Sequence, residues 1–292
     1  MSHVQFRVVV EENFTRRRFL KLAAATGIVG LAGCGAYGTF IEPYNYELTE
    51  QEIFIPNLPA SFDGFRIVQL SDIHHSRFVA LDEVRRAVEL TQSAGGDLIV
   101  LTGDYSTHGR RFIEPCAELL RTLSAPFGVW AILGNHDHAT DPKATTRALE
   151  RAGIPVLSNR WTEIERRGER LPLVGVDDWS WAALDWEHAQ RGLDMRRASI
   201  LLSHQPRVLD MKPAWNHSLI LAGHTHGGQI NLPLIGAPVR FSEEFKYTSG
   251  LFRRANTQMF VTRGTGVVGL PIRIGASPEI SVLHLRRAAD AE

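Results

Sequence analysis

The sequence predicts an α/β fold in which two sheets pack together with helices outside. Two observations carry the prediction. Between residues 65 and 152, short apolar runs alternate with segments of helical spacing in the order β-α-β-α-β-α, which builds a largely parallel sheet. Beyond residue 160 the strands follow one another with little helix between them, which suits a second sheet in the same domain.

Residues 52–55 read as an edge strand stopped by Pro56, and residues 65–70 as the next strand. Residues 81–93 carry apolar side chains at Leu81, Val84, Ala87, Val88 and Leu90, a helical spacing. Residues 98–101 are four apolar residues in a row, the mark of a strand buried on both faces. Residues 112–123 read as a second helix with Cys116 on its apolar side as a small buried residue. A third strand covers 128–133, and Pro142 starts a helix that runs to Ala152. Residues 161–165 and 171–176 read as two strands joined by a turn at 166–169. A short helix is predicted over 186–192, strands over 199–203 and 218–222, and two antiparallel strands over 257–261 and 280–285.

At 292 residues, 44% apolar and 22% charged, the chain has the composition of a globular protein with a large core. Lys+Arg and Asp+Glu are equal at 32 each, so no excess basic charge marks a nucleic-acid surface. Two cysteines exclude both a disulfide-rich scaffold and a four-cysteine zinc site.

The N-terminal region reads as a targeting segment. Thr15-Arg16-Arg17-Arg18-Phe19-Leu20-Lys21 is followed by a short apolar stretch over 22–33 that is too weakly hydrophobic for an ordinary spanning helix. A basic segment before a short apolar one is a secretory pattern, and the paired arginines resemble the twin-arginine (Tat) export motif. Leu31-Ala32-Gly33-Cys34 resembles a bacterial lipobox, in which Cys34 becomes lipidated and an acyl anchor holds the protein at a membrane. Retention of the signal as an anchor, or cleavage slightly later, is the alternative. Residues 35–50 show no period and read as a linker between membrane and domain.

The polar residues gather at the ends of the apolar strands. The strands lead into Asp72 and His74, into Gly103-Asp104, into Gly134-Asn135-His136-Asp137, into His204, and into Gly223-His224-Thr225-His226. In an extended chain, residues i and i+2 share a face, so Asp72 with His74, and His224 with His226, can address one site. The glycines at 103, 134 and 223 relieve crowding where the backbone turns. Oxygen and nitrogen donors without thiolate suit Mn, Fe or Zn. Seven such donors are too many for one tetrahedral ion and about right for two ions sharing a carboxylate.

Taken together, Asp72-x-His74, Gly103-Asp104, Gly134-Asn135-His136-Asp137, His204 and Gly223-His224-x-His226 resemble the signature of the calcineurin-like metallophosphoesterases in order and spacing. Residues 223–229, with Arg263-Gly264-x-Gly266 and Pro271-x-Arg273, further resemble an exported bacterial branch that includes phosphodiesterases and a UDP-diacylglucosamine pyrophosphatase. The resemblance implies a four-layer αββα sandwich, the metallo-dependent phosphatase fold, with two mixed β-sheets flanked by helices and metals between the ends of the central sheets. It divides the chain into a signal at 1–34, the linker at 35–50, a catalytic domain at 51–288 and a tail at 289–292.

The same resemblance implies roles for residues. Asp72, His74 and His226 hold one divalent ion, Asn135, His204 and His224 a second, and Asp104 bridges both. His136 contacts the phosphate and protonates the leaving oxygen, and Asp137 orients His136. Two ions (Mn, Zn or Fe) activate a bridging hydroxide for direct attack, with no phosphoenzyme. The implied substrate is a phosphodiester or pyrophosphate in a lipid, nucleotide-sugar or envelope molecule. The implied location, after passage through the Tat machinery, is the outer face of the cytoplasmic membrane, the periplasm or the cell envelope. The alternative is a non-catalytic envelope-binding protein on the same scaffold, but a degenerate relative would be expected to have lost ligands. The His-x-His-x-Asp-His run of metallo-β-lactamase-like hydrolases is absent.

Among the remaining residues, His75 and His138 read as lining or supporting groups, and His108 and Tyr105 as solvent-exposed loop residues near the site. Arg263 and Arg273 are open to two readings, a grip on a second anionic group or structural ion pairing. Trp179, Trp181 and Trp186 read as core packing, with an apolar rim as the alternative.

Overall fold

The structure, a computed structural model, describes residues 16–232, 236–238 and 246–288. Residues 1–15 of the segment read as a signal, including Thr15 of the arginine motif, and the tail at 289–292 lie outside the described residues.

The apolar run at the centre of the chain forms β3 (Leu98–Leu101), buried along its whole length. A strand with no polar side chain has to be covered on both faces, and its neighbours achieve this. β3 lies parallel between β2 (Arg66–Leu70) and β4 (Val129–Ala131). On the other side of β2 runs β11 (Glu279–Arg287), antiparallel to it, and β1 (Glu47–Ile55) closes the edge parallel to β11. This sheet has the order β1-β11-β2-β3-β4. The second sheet has the order β5 (Arg160–Arg166), β6 (Glu169–Gly175), β7 (Ile200–Leu202), β8 (Leu219–Ala222), β10 (Thr257–Val261) and β9 (Gly250–Arg254). Its four inner strands are parallel, and β5 and β9 pair antiparallel at the two edges.

The alternation of side chains sorts each strand between two cores. Ile67, Leu98, Val100 and Leu283 of the first sheet meet Leu173, Ile200, Leu202, Leu221 and Phe260 of the second. The opposite face of the first sheet, with Val68, Ile99, Leu101 and Val282, packs on Val84 and Val88 of α2 (Leu81–Ser93), on Cys116 and Leu120 of α3 (Ile113–Leu120), and on Leu149 of α5 (Pro142–Arg151). The outer face of the second sheet is covered by α6 (Trp186–Ala189) and by 3₁₀ turns at Pro206–Asp210 and Lys212–Asn216. The architecture is the expected helix–sheet–sheet–helix sandwich, with a thin fourth layer.

Local signals account for the helices. In α2, Glu83 reaches back to accept the Ala80 N–H at 2.8 Å, and the buried face is Val84, Ala87, Val88 and Thr91. In α5, Asp141 caps the N-terminus by accepting from the Ala144 N–H at 3.0 Å, and Pro142 occupies the first turn.

Four features differ from the sequence reading. The segment predicted over 280–285 does not pair with 257–261. It becomes β11 and crosses into the first sheet, between β1 and β2. β9 (Gly250–Arg254) has no apolar run, because it is an edge strand with no face fully covered. Residues 135–140 are a short helix, α4 (Asn135–Thr140). The stretch read as a linker is largely ordered: a helix, α1 (Arg16–Phe40), runs into it, Glu42 is buried, and β1 begins at Glu47. Among the described residues no helix is long and apolar enough to cross a membrane.

Candidate metal centre

The site is assembled from both sheets at the carboxyl ends of their strands, where open α/β sheets bind ligands. Asp72 and His74 follow β2, Asp104 follows β3, and Asn135, His136 and Asp137 follow β4. His204 follows β7, and His224 and His226 follow β8. Only the stacking of the sheets brings these groups together.

They are not in extended chain. Asp72 and His74 have φ of 52° and 52°, Asp104 of 60°, and His224 and His226 of 72° and 53°. The expected pairs do meet, but not by alternation along a strand: the strands end earlier, and Asp72, His74, Asp104, His224 and His226 each stand on a left-handed residue that turns its side chain into the site. Such a conformation costs a non-glycine residue roughly 1–2 kcal/mol, and strain of this kind gathers where a site needs it. The glycines are needed for close approach. A Cβ at Gly134 would collide with Oδ1 of Asp104, and one at Gly223 with Asp72 and Ser71.

The side chains form adjoining sets. Asp72, His74 and His226 converge, as do Asp104, His204 and His224, each set with ligand atoms within 4.8 Å of one another. Nε2 of His74 lies 2.9 Å from Nε2 of His226 and 3.8 Å from Oδ1 of Asp72. Asp104 stands between the sets, with Oδ2 3.5 Å from Nε2 of His74 and 3.1 Å from Nε2 of His204. Oδ1 of Asn135 lies 3.1 Å from His204 Nε2 and 2.9 Å from His224 Nδ1. All seven expected donors therefore point into one place.

Partners behind them fix the rings. His74 Nδ1 is 2.6 Å from Oγ1 of Thr107, and His204 Nδ1 donates to the Thr102 carbonyl at 2.7 Å. Each contact presents the Nε2 atom to the site. Asp72 accepts the His224 N–H with both oxygens at 3.0 Å, and Asp104 accepts the His136 N–H at 2.8 Å.

The electrostatics suit cations. Burial alone would raise the Asp104 carboxyl, but His204, His74 and His136 outweigh it and hold it well below the usual carboxylate range. Asp72 behaves alike: burial is overridden by His226, His74 and His204, and its pKa is lowered. Burial pushes His226 well below the ordinary imidazole value and lowers His224, keeping both in the neutral form that binds metal. His204 goes the other way. Burial lowers it, but Asp104 raises it further, to about 10. Two buried carboxylates among imidazoles, amide oxygen and no thiolate make a donor set that fits divalent ions of the Mn, Zn or Fe kind.

His136 is distinct. Its ring stands edge-on to His74 at 4.8 Å between centroids, and among the described residues its ring nitrogens have no hydrogen-bond partner. It lines a cavity of about 560 Å³ together with Asp104, Asn135, His224 and His226. Burial lowers its pKa to about 4.

Among the described residues the Asp137 carboxylate makes no hydrogen bond to the His136 ring. That carboxylate accepts the N–H groups of Asp104 at 2.7 Å, Tyr105 at 3.0 Å and Gly134 at 2.9 Å. It therefore ties the loop after β3 to the start of α4 and positions His136 only through the backbone. Burial, then the nearby Asp104, raise its pKa to about 7.

The other nominated residues separate cleanly. Tyr105 is buried rather than exposed, its hydroxyl bonded to the Leu101 and Ile132 carbonyls. His75 is bonded to the Val79 carbonyl and His138 to Asp177 at 3.1 Å, both structural contacts. Arg263 pairs with Glu47 at 2.7 Å and Glu279 at 3.0 Å. Arg273 is wholly buried, its guanidinium donating to the carbonyls of Gly266, Ala276, Arg263 and Gly264 behind His226. Trp186 packs against the outer core, but Trp181 is 61% exposed and lines the mouth of the site near His136. Thr107 and the apolar wall of Ile230, Val268 and Leu270 were missed. Thr107 carries no motif; the run from Val267 to Leu270, apolar without a strand or helix around it, was the available signal.

Comparison with known proteins agrees with this geometry. The family model for calcineurin-like phosphoesterases matches residues 65–228. An uncharacterised metallophosphoesterase of Bacillus subtilis, YkuE, is 36% identical over 282 residues, covering 94% of this chain and 99% of that protein. The phosphodiesterase YaeI of Escherichia coli is 32% identical over 276 residues, covering 93% and 99%. The solved structure of TT1561 from Thermus thermophilus aligns with a TM-score of 0.47 at 14% identity, over 69% of this chain and 90% of that one. With a matched model spanning all the strand-end residues and relatives aligned nearly end to end, the chain belongs to the calcineurin-like metallophosphoesterases, hydrolases that work with divalent metal ions.

Proposed function

We propose that the protein hydrolyses phosphodiester or diphosphate bonds with two divalent ions, one held by Asp72, His74 and His226, the other by Asn135, His204 and His224, with Asp104 shared. The observation that carries this reading is the position of Asp104 between two sets of buried donors. The ions supply binding for phosphate oxygens and a lowered pKa for the attacking water. The chain's own residues do the rest. The strained left-handed turns hold the donors in place before substrate arrives. His136, with its ring nitrogens unengaged and facing the cavity, donates a hydrogen bond from its neutral ring to a phosphoryl oxygen or to the leaving oxygen. The apolar wall of Ile230, Val268 and Leu270 excludes water on one side and accommodates an apolar substituent, in keeping with a lipid or other envelope-linked substrate.

The same proposal places the protein outside the cytoplasmic membrane, exported by the Tat route and held at the membrane surface through the N-terminal segment or a lipid on Cys34. Cys34 is exposed, and Tyr37, Phe40, Ile41 and Tyr44 form an exposed apolar series just after it. Mass spectrometry of the mature N-terminus tests this part; an unmodified start beyond Cys34 rules out the lipid.

The test of the chemistry is hydrolysis of a chromogenic phosphodiester with added Mn²⁺, Zn²⁺ or Mg²⁺. His136→Ala is expected to lower kcat by roughly 10²–10⁴-fold with metal content unchanged. Full activity in both Asp104→Ala and His136→Ala would sink the mechanism.

A further inference from the structure

Beside the metal centre lies a second cleft, of about 370 Å³, whose charged lining is entirely basic. Arg77, Arg111 and His108 line it with Phe78, Phe112 and Thr107, and no acidic residue does. Neither arginine has a carboxylate partner among the described residues. Each guanidinium instead lies over a ring, Arg77 at 4.5 Å from the Phe78 centroid and Arg111 at 4.7 Å from that of Phe112. The adjacent Arg110 shows the contrast, since it is neutralised by Asp141 at 2.8 Å. Stacking on a ring limits the orientations of a guanidinium while leaving its edge donors available to an anion.

The cleft adjoins the catalytic cavity. Val268 and Gly269 line both. Thr107, in the cleft, holds His74 at 2.6 Å, and the His108 ring stands 6.1 Å from that of His136. An anionic group in the cleft is therefore a neighbour of a phosphoryl group at the metal centre. The two arginines nominated from the sequence cannot serve this purpose, because Arg263 is ion-paired and Arg273 is saturated by carbonyls.

We propose that Arg77 and Arg111 form a subsite for a second phosphoryl group of the substrate, so that the bond cut is the P–O–P linkage of a diphosphate diester rather than a simple phosphodiester. This rests on the hydrolytic reading above. A simple diester brings one negative charge, whereas a diphosphate diester brings two, and the basic cleft receives the second. In the reaction, water forms a new O–P bond to the phosphorus at the metal centre and the bond between that same phosphorus and the bridging oxygen breaks. The bridging oxygen leaves with the electron pair as part of a phosphate monoester at the arginines, and the two protons of the water pass to solvent.

The test compares the metal-loaded wild type, freed of excess metal, with an Arg77→Ala/Arg111→Ala double variant. Both side chains are exposed, so the variant is expected to fold. Calorimetric binding of methylenediphosphonate is expected to weaken by about 10- to 100-fold, the scale of one or two charge-assisted hydrogen bonds. Binding of inorganic phosphate is expected to stay within about twofold, because the metal centre alone takes it. In turnover with Mn²⁺, the KM for a nucleoside diphosphate sugar is expected to rise about tenfold while that for bis(p-nitrophenyl) phosphate stays unchanged. Equal diphosphonate affinity in the two proteins, or equal loss for both ligands, overturns the subsite. If the wild type turns over no phosphoester but the difference in diphosphonate binding persists, the hydrolytic reading fails and the subsite stands.

Discussion

At the scale of single residues, the most informative feature is that the donors are held by their backbones as much as by their chemistry. Asp104 has φ of 60° and accepts the His136 N–H, so its orientation is set before any ion binds. Asp104→Asn keeps the shape and removes the charge shared by both sets. It is expected to reduce metal content at both sites together, read by elemental analysis, whereas Asn135→Ala or His226→Ala reduces mainly one. The circular-dichroism spectrum is expected to stay native, because β3 is held by Leu98–Leu101 and not by the carboxylate. Thr107 offers a subtler check. Replacing its hydroxyl in Thr107→Val frees the His74 ring, and metal affinity is expected to fall about 10- to 100-fold with the ligands all intact. An unchanged affinity would show that packing alone fixes the ring.

At the scale of elements, polar contacts at strand ends decide how the loops meet. Asp137 joins the turn after β3 to the start of α4 through three backbone N–H groups. Asp137→Ala leaves those buried donors without an acceptor, and a loss of roughly 3 kcal/mol or more in urea unfolding is expected. A second such element is the junction of β7 with the outer layer. There the His217 ring bonds Ser199 at 2.8 Å and Gln190 at 2.9 Å. Burial lowers its pKa to about 4, so the native state prefers it neutral while the unfolded chain protonates it near the ordinary value of 6.5. Stability from this group is therefore intact above pH 6.5 and declines as the pH falls toward 4. Linkage over that shift gives a loss of about 2 kcal/mol between pH 7 and 5. Urea melts at the two pH values check it, and a His217→Asn variant is expected to lose correspondingly less.

At the scale of the molecule, the two sheets fold around apolar cores that contain none of the metal donors. Chelation is therefore expected to abolish hydrolysis and lower the thermal midpoint while far-UV circular dichroism remains native, with activity restored by Mn²⁺. Unfolding on chelation would show instead that the ions hold the sheets together.

Much of this was legible in the sequence, and for a physical reason. Short apolar runs define buried strands, helical spacing marks α2 (Leu81–Ser93), and ligand-type side chains at strand ends mark a site before any fold is known. Those signals are local. The sequence by itself settled the α/β class, the strands that carry the site and the seven candidate donors. Tertiary structure alone decided that β11 crosses to the first sheet, since a buried strand's pattern does not name its neighbour. It also decided that Asp137 serves the backbone, that Arg273 is walled in by carbonyls, and that Arg77 and Arg111 stand beside the site with no acidic partner among the described residues. Each of these depends on what stands opposite a side chain, and residues far apart in the chain become opposite only when the sheets stack.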